Sequence, residues 1–190
     1  WAALGNRGWG FDDVLPLFRK SEHYVQGGEG EFRGQGGPLK VEDYRTILPL
    51  THDWIQAAQQ AGFPFSTDLN GRMAEGVGYS QMTRRGRWRG STAQTFLKEA
   101  RKRPNLSVET DALASRLIFE DKRCVGVEFR QHGQTIVARA TKEVILSGGA
   151  VNSPHLLQVS GVGPAPHLQS IGVPVVHDLR GVGGNLQDHL

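Results

Sequence analysis

The residues of this 190-residue chain with the most definite chemical use are Ser147, Gly148 and Gly149. They follow an apolar run at 144–146 and precede a helical stretch over 153–160. A short continuous apolar run reads as a strand buried on both faces. Two glycines directly after it leave bare main chain that another group can approach closely. Ser153 caps the next helix in this reading, with Pro154 at its first position. A helix start offers unpaired N–H donors and the positive end of a dipole. Together these features suit a pyrophosphate or the adenosine edge of a dinucleotide. Strand–glycine–helix is also ordinary packing, so a ligand site and a plain structural turn are both open at this point.

Other chemistry-bearing residues narrow the field. A complete dinucleotide fingerprint needs G-x-G-x-x-G after a strand. The near misses are Gly181 and Gly183 followed by Leu186, and Gly161 and Gly163 followed by Pro166. Seven histidines occur, but none in an H-E-x-x-H pattern, so a zinc-protease reading has no support. His155 at the helix start and His189 beside Asp188 read as partly exposed polar and structural positions. Ser160 in VSGVG lacks the glycine two residues before it that a hydrolase elbow needs. Cys124 is the one cysteine; it excludes an internal disulfide and any Cys-rich metal site, and reads as a small apolar strand residue. The run 84–90 mixes four arginines with Trp88. Stacking and phosphate contact would suit single-stranded nucleic acid, but a solvated hairpin tip is the simpler reading and is the one adopted. Asn105-Leu106-Ser107 is a glycosylation sequon by pattern only.

These residues need a scaffold. With 38% apolar and 22% charged residues and a net charge of +3, the chain is globular, and its charge is too mild to require nucleic acid. No apolar run nears the roughly 20 residues that cross a bilayer. The periodicities predict a helix capped by Asp12 or Asp13 and running to about His23, with Pro16 in its first turn. A Gly-rich loop over 27–37 follows, then an extended segment over 39–41. A second helix is predicted over 49–61, stopped by Gly62 and Pro64. A strand over 77–83 leads into a turn at 84–90. A third helix opens with a capping box between Ser91 and Gln94 and ends at Pro104. Strands over 106–110, 112–119, 124–130 and 135–140 form a β-meander, with Val125, Val127 and Phe129 on one face. A short helix near 167–171 and a strand over 173–176 complete the list.

Five blocks, in order and covering nearly the whole chain, resemble the glucose–methanol–choline (GMC) oxidoreductase family. They are GNRGWGFDDVLPLFRKSE, FRGQGGPLKV, RPNLSVETDALASRLIFE, EVILSGGAVNSPHLLQVSGVGP and GVPVVHDLRGVGGNLQDHL. The choline and aliphatic alcohol dehydrogenase branch is the nearest in flavour. The resemblance implies a mixed α/β fold: part of a Rossmann-like FAD-binding domain with a β-meander, plus part of an antiparallel-sheet substrate domain. Residues 1–36 and 91–190 would belong to the flavin domain and 37–90 to the substrate domain. FAD is the implied cofactor, with Ala114 touching adenine through its backbone and Ser147, Gly148 and Gly149 beside the adenosine or pyrophosphate. The implied reaction moves a hydride from a primary alcohol to flavin N5, with a histidine base. That base is expected beyond Leu190 and the Gly-rich fingerprint before Trp1, as in an internal fragment, so no catalytic residue is assigned within the chain. Oxygen, a quinone or a dye would serve as electron acceptor; no nucleic acid or metal is expected. The compartment is open between cytoplasm and bacterial membrane periphery. Gly148 stands where the family usually has alanine, and Gly184 where it usually has glutamate.

Overall fold

The computed structural model describes residues 1–188, so His189 lies outside the described residues. The chain divides into two compact units, 1–107 and 108–190.

The first unit begins with a single 3-10 turn (Ala2–Leu4) and helix α1 (Phe11–Ser21). The Asp13 carboxylate accepts the Gly10 N–H at 3.0 Å. The cap is therefore Gly10, two or three residues before the expected Asp12 or Asp13, and Pro16 falls past the first turn. It also ends sooner than expected, because Glu22–Tyr24 form strand β1. β1 pairs in parallel with β2 (Leu39–Asp43), β2 antiparallel with β3 (Gln81–Arg85), and β3 with β4 (Trp88–Arg89) in a hairpin. The strand placed over 77–83 is shifted to 81–85, and its turn is a tight hairpin with Gly86 at φ +61°. Helix α2 (Pro49–Gln60) carries Pro49 at its first position, where the sequence starts it, but it buries Ile55, whereas Leu50 and Trp54, which helical spacing places on the apolar face, are exposed.

The expected capping box at Ser91 does not form. The Ser91 carbonyl instead accepts both the N–H and the hydroxyl of Thr95. A π-helical turn (Ala93–Leu97) follows and runs into α3 (Lys98–Ala100). β-branched Thr95 competes for the backbone carbonyl and displaces the regular ladder.

The interior of this unit is polar. Arg33, 3% exposed, places its guanidinium 2.7 Å from Glu22, 3.1 Å from Asp68 and 3.9 Å above the Tyr24 ring. It also donates to Gln81 Oε1 at 3.1 Å. Tyr24 donates its hydroxyl to Asp43 at 3.0 Å and accepts from Gln81 at 3.1 Å. Burial, and then that bond to the Asp43 carboxylate, pushes the Tyr24 phenol up to about 12. Glu42, also buried, pairs with Lys40 at 2.5 Å and with Arg84. The Lys40 contact first, then Arg84, holds its carboxyl below the ordinary range.

The second unit is built on the meander β5 (Leu113–Glu120), β6 (Arg123–Gln131) and β7 (Gln134–Arg139), all antiparallel. Three of the four expected strands are present; 106–110 joins no ladder among the described residues. Leu117 and Val125 are the buried apolar residues of this sheet. Gly126 sits opposite Arg139, where a Cβ would lie 2.5 Å from the Ala138 carbonyl; only glycine allows that approach. Helix α4 (Gly149–Val159) packs on β5. A two-residue parallel ladder joins β8 (Val162–Gly163) to β9 (His177–Asp178), with α5 (Ala165–Ser170) between them. The strand expected over 173–176 is thus replaced by this later, shorter pairing.

The expected buried strand at 144–146 is overturned. The segment carries no regular structure and pairs with no strand among the described residues, and Ile145 is 78% exposed. A strand buried on both faces needs a ladder on each edge and a layer on each face, and the described residues supply neither.

Candidate functional site

Two features of the second unit converge on chemistry. The first is the start of α4. The helix begins at Gly149, five residues earlier than the sequence suggests, and Ser153 caps it from within: its Oγ accepts the Gly148 N–H at 2.9 Å. Gly149 has φ +87°, and a Cβ there would meet nothing within 4 Å. Among the described residues, no group accepts a hydrogen bond from the N–H of Gly149, Ala150 or Val151. Ser147, Gly148 and Gly149 are all exposed. The arrangement is an open left-handed glycine followed by three unpaired donors at the positive end of an 11-residue helix. Such a helix start holds anionic oxygen.

Beside it lies a cleft of about 600 Å³ between α4 and residues 181–187. His155 and Gln158 face it from the helix, with Asn185 and Gln187 opposite. Among the described residues its walls carry no Asp, Glu, Lys or Arg, so what they offer a ligand is amides, imidazole and main chain. Gln158 donates to the Val182 carbonyl at 3.0 Å. A Cβ on Gly183, whose φ is +80°, would lie 2.4 Å from Gln158 Nε2. Gly183 therefore serves the close approach of loop and helix.

The second feature is the β-bulge in β5. Ala114 pairs with Phe129, and the register shifts before Arg116 pairs with Glu128. Ser115, at the bulge, donates to the Glu128 carbonyl at 3.1 Å and to its carboxylate at 2.9 Å. Bulges free backbone groups from the ladder and re-aim them, which is what a backbone contact from Ala114 requires. Ala114 is exposed. Three residues on, Leu117 donates its N–H to Ser160 Oγ at 2.8 Å, and that hydroxyl donates to the Leu156 carbonyl at 2.5 Å. Ser160 is thus a buried structural clasp between β5 and the end of α4, not a nucleophile.

The structure places all four residues singled out from the sequence in this unit, each exposed: Ala114 on β5 and Gly149 on α4, two elements that pack together, with Ser147 and Gly148 directly ahead of α4. Sequence reasoning expected free donors at the helix start but placed them too far along, because it began the helix at Pro154 instead of Gly149. It also missed the Gly183–Gln158 contact and the Arg33 cluster. No helix among the described residues is long and apolar enough to cross a membrane.

The whole chain, residues 1–190, matches the GMC oxidoreductase family, and it belongs to that family. Among curated proteins it is 47% identical to the mitochondrial choline dehydrogenase of Homo sapiens, over all of this chain and 32% of that protein. It is 46% identical to an oxygen-dependent choline dehydrogenase of Sinorhizobium medicae, over all of this chain and 34% of the other. The chain therefore spans about a third of the length of the curated relatives it matches. Among solved structures, an FAD-dependent oxidoreductase from Chaetomium thermophilum superposes with TM-score 0.90 at 31% identity, covering 99% of this chain and 35% of that one. Pyridoxine 4-oxidase from Mesorbium loti superposes with TM-score 0.83 at 31% identity, covering 92% and 34%. The mixed α/β architecture is thus that of GMC flavoenzymes.

Proposed function

We propose that this chain is part of an FAD-dependent oxidoreductase acting on CH–OH groups, taking hydride from a primary alcohol of choline-like or aliphatic type. The observation that carries the reading is the start of α4, where Gly149 leaves open space in front of the unpaired N–H groups of Gly149, Ala150 and Val151. A pyrophosphate or ribose oxygen fits there without any side chain moving. FAD, when bound, supplies the hydride acceptor at N5. This chain's residues hold it: Ser147, Gly148 and Gly149 at the adenosine–pyrophosphate side, and Ala114 at adenine through the bulged backbone. The catalytic base lies outside these residues, and no residue here takes that role. Residues 1–36 and 91–190 serve the flavin domain and 37–90 the substrate domain.

The relatives' names support an alcohol donor of choline type, and the choice among oxygen, quinone and dye acceptors stays with the experiment. The amount of exposed surface supports the view that more chain completes the enzyme. The chain exposes 14628 Å². Two separate compact bodies of 107 and 83 residues would expose about 10,800 Å² by the scaling of surface with mass. The surplus, about 3,900 Å² on that scaling, includes Ile145, Leu50 and Phe18.

The test is expression of the complete gene and assay of the purified protein against a panel of alcohols, with oxygen and with dye acceptors. Bound flavin and alcohol-dependent reduction are expected, with flavin lost in Gly149→Val while the circular dichroism is kept. A colourless protein that reduces no acceptor would sink the proposal. The 190-residue chain alone is expected to bind FAD weakly and to oxidise no alcohol.

A further inference from the structure

Charge is segregated along this chain. Residues 84–103 hold eight basic residues and one acidic residue, a net of +7, which leaves −4 of the total +3 for the remaining residues. The basic residues form a patch in the first unit, not merely a run of sequence. Arg85, in the β3–β4 hairpin, donates to the Gln94 carbonyl in the π-helical turn and so ties the hairpin to the segment that ends in α3. The Glu99 carboxyl is held below its ordinary range by Lys102 first, then by Lys98 and Arg85; hairpin and helix cations therefore act on one point. Arg84 and Lys102 are paired with Glu42 and Glu99. Arg87, Arg89, Lys98, Arg101 and Arg103 have no carboxylate within 4.0 Å among the described residues, and all five are exposed. Trp88 stands between Arg87 and Arg89 at the hairpin tip, 77% exposed.

We propose that this hairpin and the following basic turn form a docking surface for an anionic phospholipid bilayer. Indole is at home at the headgroup level, where its ring is half-solvated and its N–H finds acceptors. Unpaired cations beside it gain from the negative surface potential of anionic lipid. Both chemistries occur together at one exposed tip, and the hairpin is short and held at its base by the Arg84–Glu42 and Arg85–Gln94 contacts. A single-stranded nucleic acid would use Trp88 for stacking, but it needs further aromatic platforms along a groove. Between Arg84 and Arg103 the other aromatic side chain is Phe96, on the π-helical turn and not on the hairpin. The bilayer is therefore the better match. This inference does not depend on the proposed alcohol oxidation.

The test is co-sedimentation of the complete gene product with phosphatidylcholine vesicles, with and without phosphatidylserine, at low and high salt. Binding to the phosphatidylserine vesicles alone, weakened by salt, is expected. Each arginine contributes about a fivefold gain in partitioning near such a surface, so Arg87→Gln/Arg89→Gln should bind roughly thirtyfold more weakly. Trp88→Ala should also bind more weakly, and Lys122→Gln, in the β5–β6 turn, should bind as the parent does. Thermal unfolding of each variant checks that its fold is kept. No binding to anionic vesicles, equal binding to neutral ones, or an unchanged double variant overturns the proposal. So does retention on single-stranded DNA without vesicle binding, which would assign the patch to nucleic acid.

Discussion

Arg33→Met tests the polar interior of the first unit most directly. The guanidinium touches Glu22 at 2.7 Å and Asp68 at 3.1 Å, and those side chains are only 20% and 12% exposed. Removing one member of a buried ion pair costs about 3–5 kcal/mol, because the partner charge stays buried and unpaired. Two partners are stranded here, but each keeps some solvent, so the lower half of that range applies. The lost stacking over Tyr24 at 3.9 Å adds about 0.5–2 kcal/mol. The sum, about 3.5–6 kcal/mol, is a large part of the roughly 5–15 kcal/mol that holds a folded protein together. Urea and thermal denaturation of the complete protein, followed by tryptophan fluorescence, should show the loss. Arg33→Lys should lose about half as much, since an ammonium keeps the charge but not the planar fork that reaches both carboxylates and Gln81. Arg33→Met/Asp68→Asn should recover at least about 1 kcal/mol over Arg33→Met, because one stranded charge is gone. If Arg33→Met lies within about 1 kcal/mol of the parent, or Arg33→Lys is as damaging, the cluster is not the electrostatic anchor described.

Other expectations follow from particular side chains. The folded Tyr24 phenol is raised from 10.0 to about 12. Its contribution is therefore complete below pH 10 and lost as pH rises through about 12; Tyr24→Phe should flatten that alkaline limb of the stability curve. Glu42 is lowered instead. Its contribution is present above the ordinary glutamate value and lost as pH falls through the folded one, so Glu42→Gln should flatten the acid limb in a pH series of denaturation midpoints. Gly126→Ala should cost about 1–3 kcal/mol by overpacking, since its Cβ would sit 2.5 Å from the Ala138 carbonyl. Gly184→Ala should gain about 0.4–1 kcal/mol, since its Cβ would meet only the Gly181 carbonyl at 3.7 Å. Melting temperatures of the two alanine variants should move in opposite directions.

What could be read in advance depended on how local the cause is. The meander was legible because alternation along 124–130 and the short polar turns at 121–122 and 132–133 act between neighbours in sequence. Helix α2 was legible through Pro49 and Gly62 at its two ends. The segment 144–146 misled because an apolar run reports only that burial suits it, while a strand exists only when another strand pairs with it. Helix α4 began earlier than expected because Ser153 binds the Gly148 N–H from inside the helix, a reversal of the usual cap. Arg33 was invisible because its partners lie 35 and 48 residues away at Asp68 and Gln81, and nothing in FRGQGG announces them. At the candidate site the glycine pair was visible, whereas the donors in front of it depended on where the helix starts.

Ser160 ties these two scales together. Its single hydroxyl joins the backbone of β5 at Leu117 to the last turn of α4 at Leu156. The strand that carries Ala114 and the helix that carries Gly149 are therefore indexed to each other like two arms on one pivot. A dinucleotide spanning both would meet a fixed gauge length, set before it arrives, and the chain would spend no ordering entropy on adjusting one contact to the other.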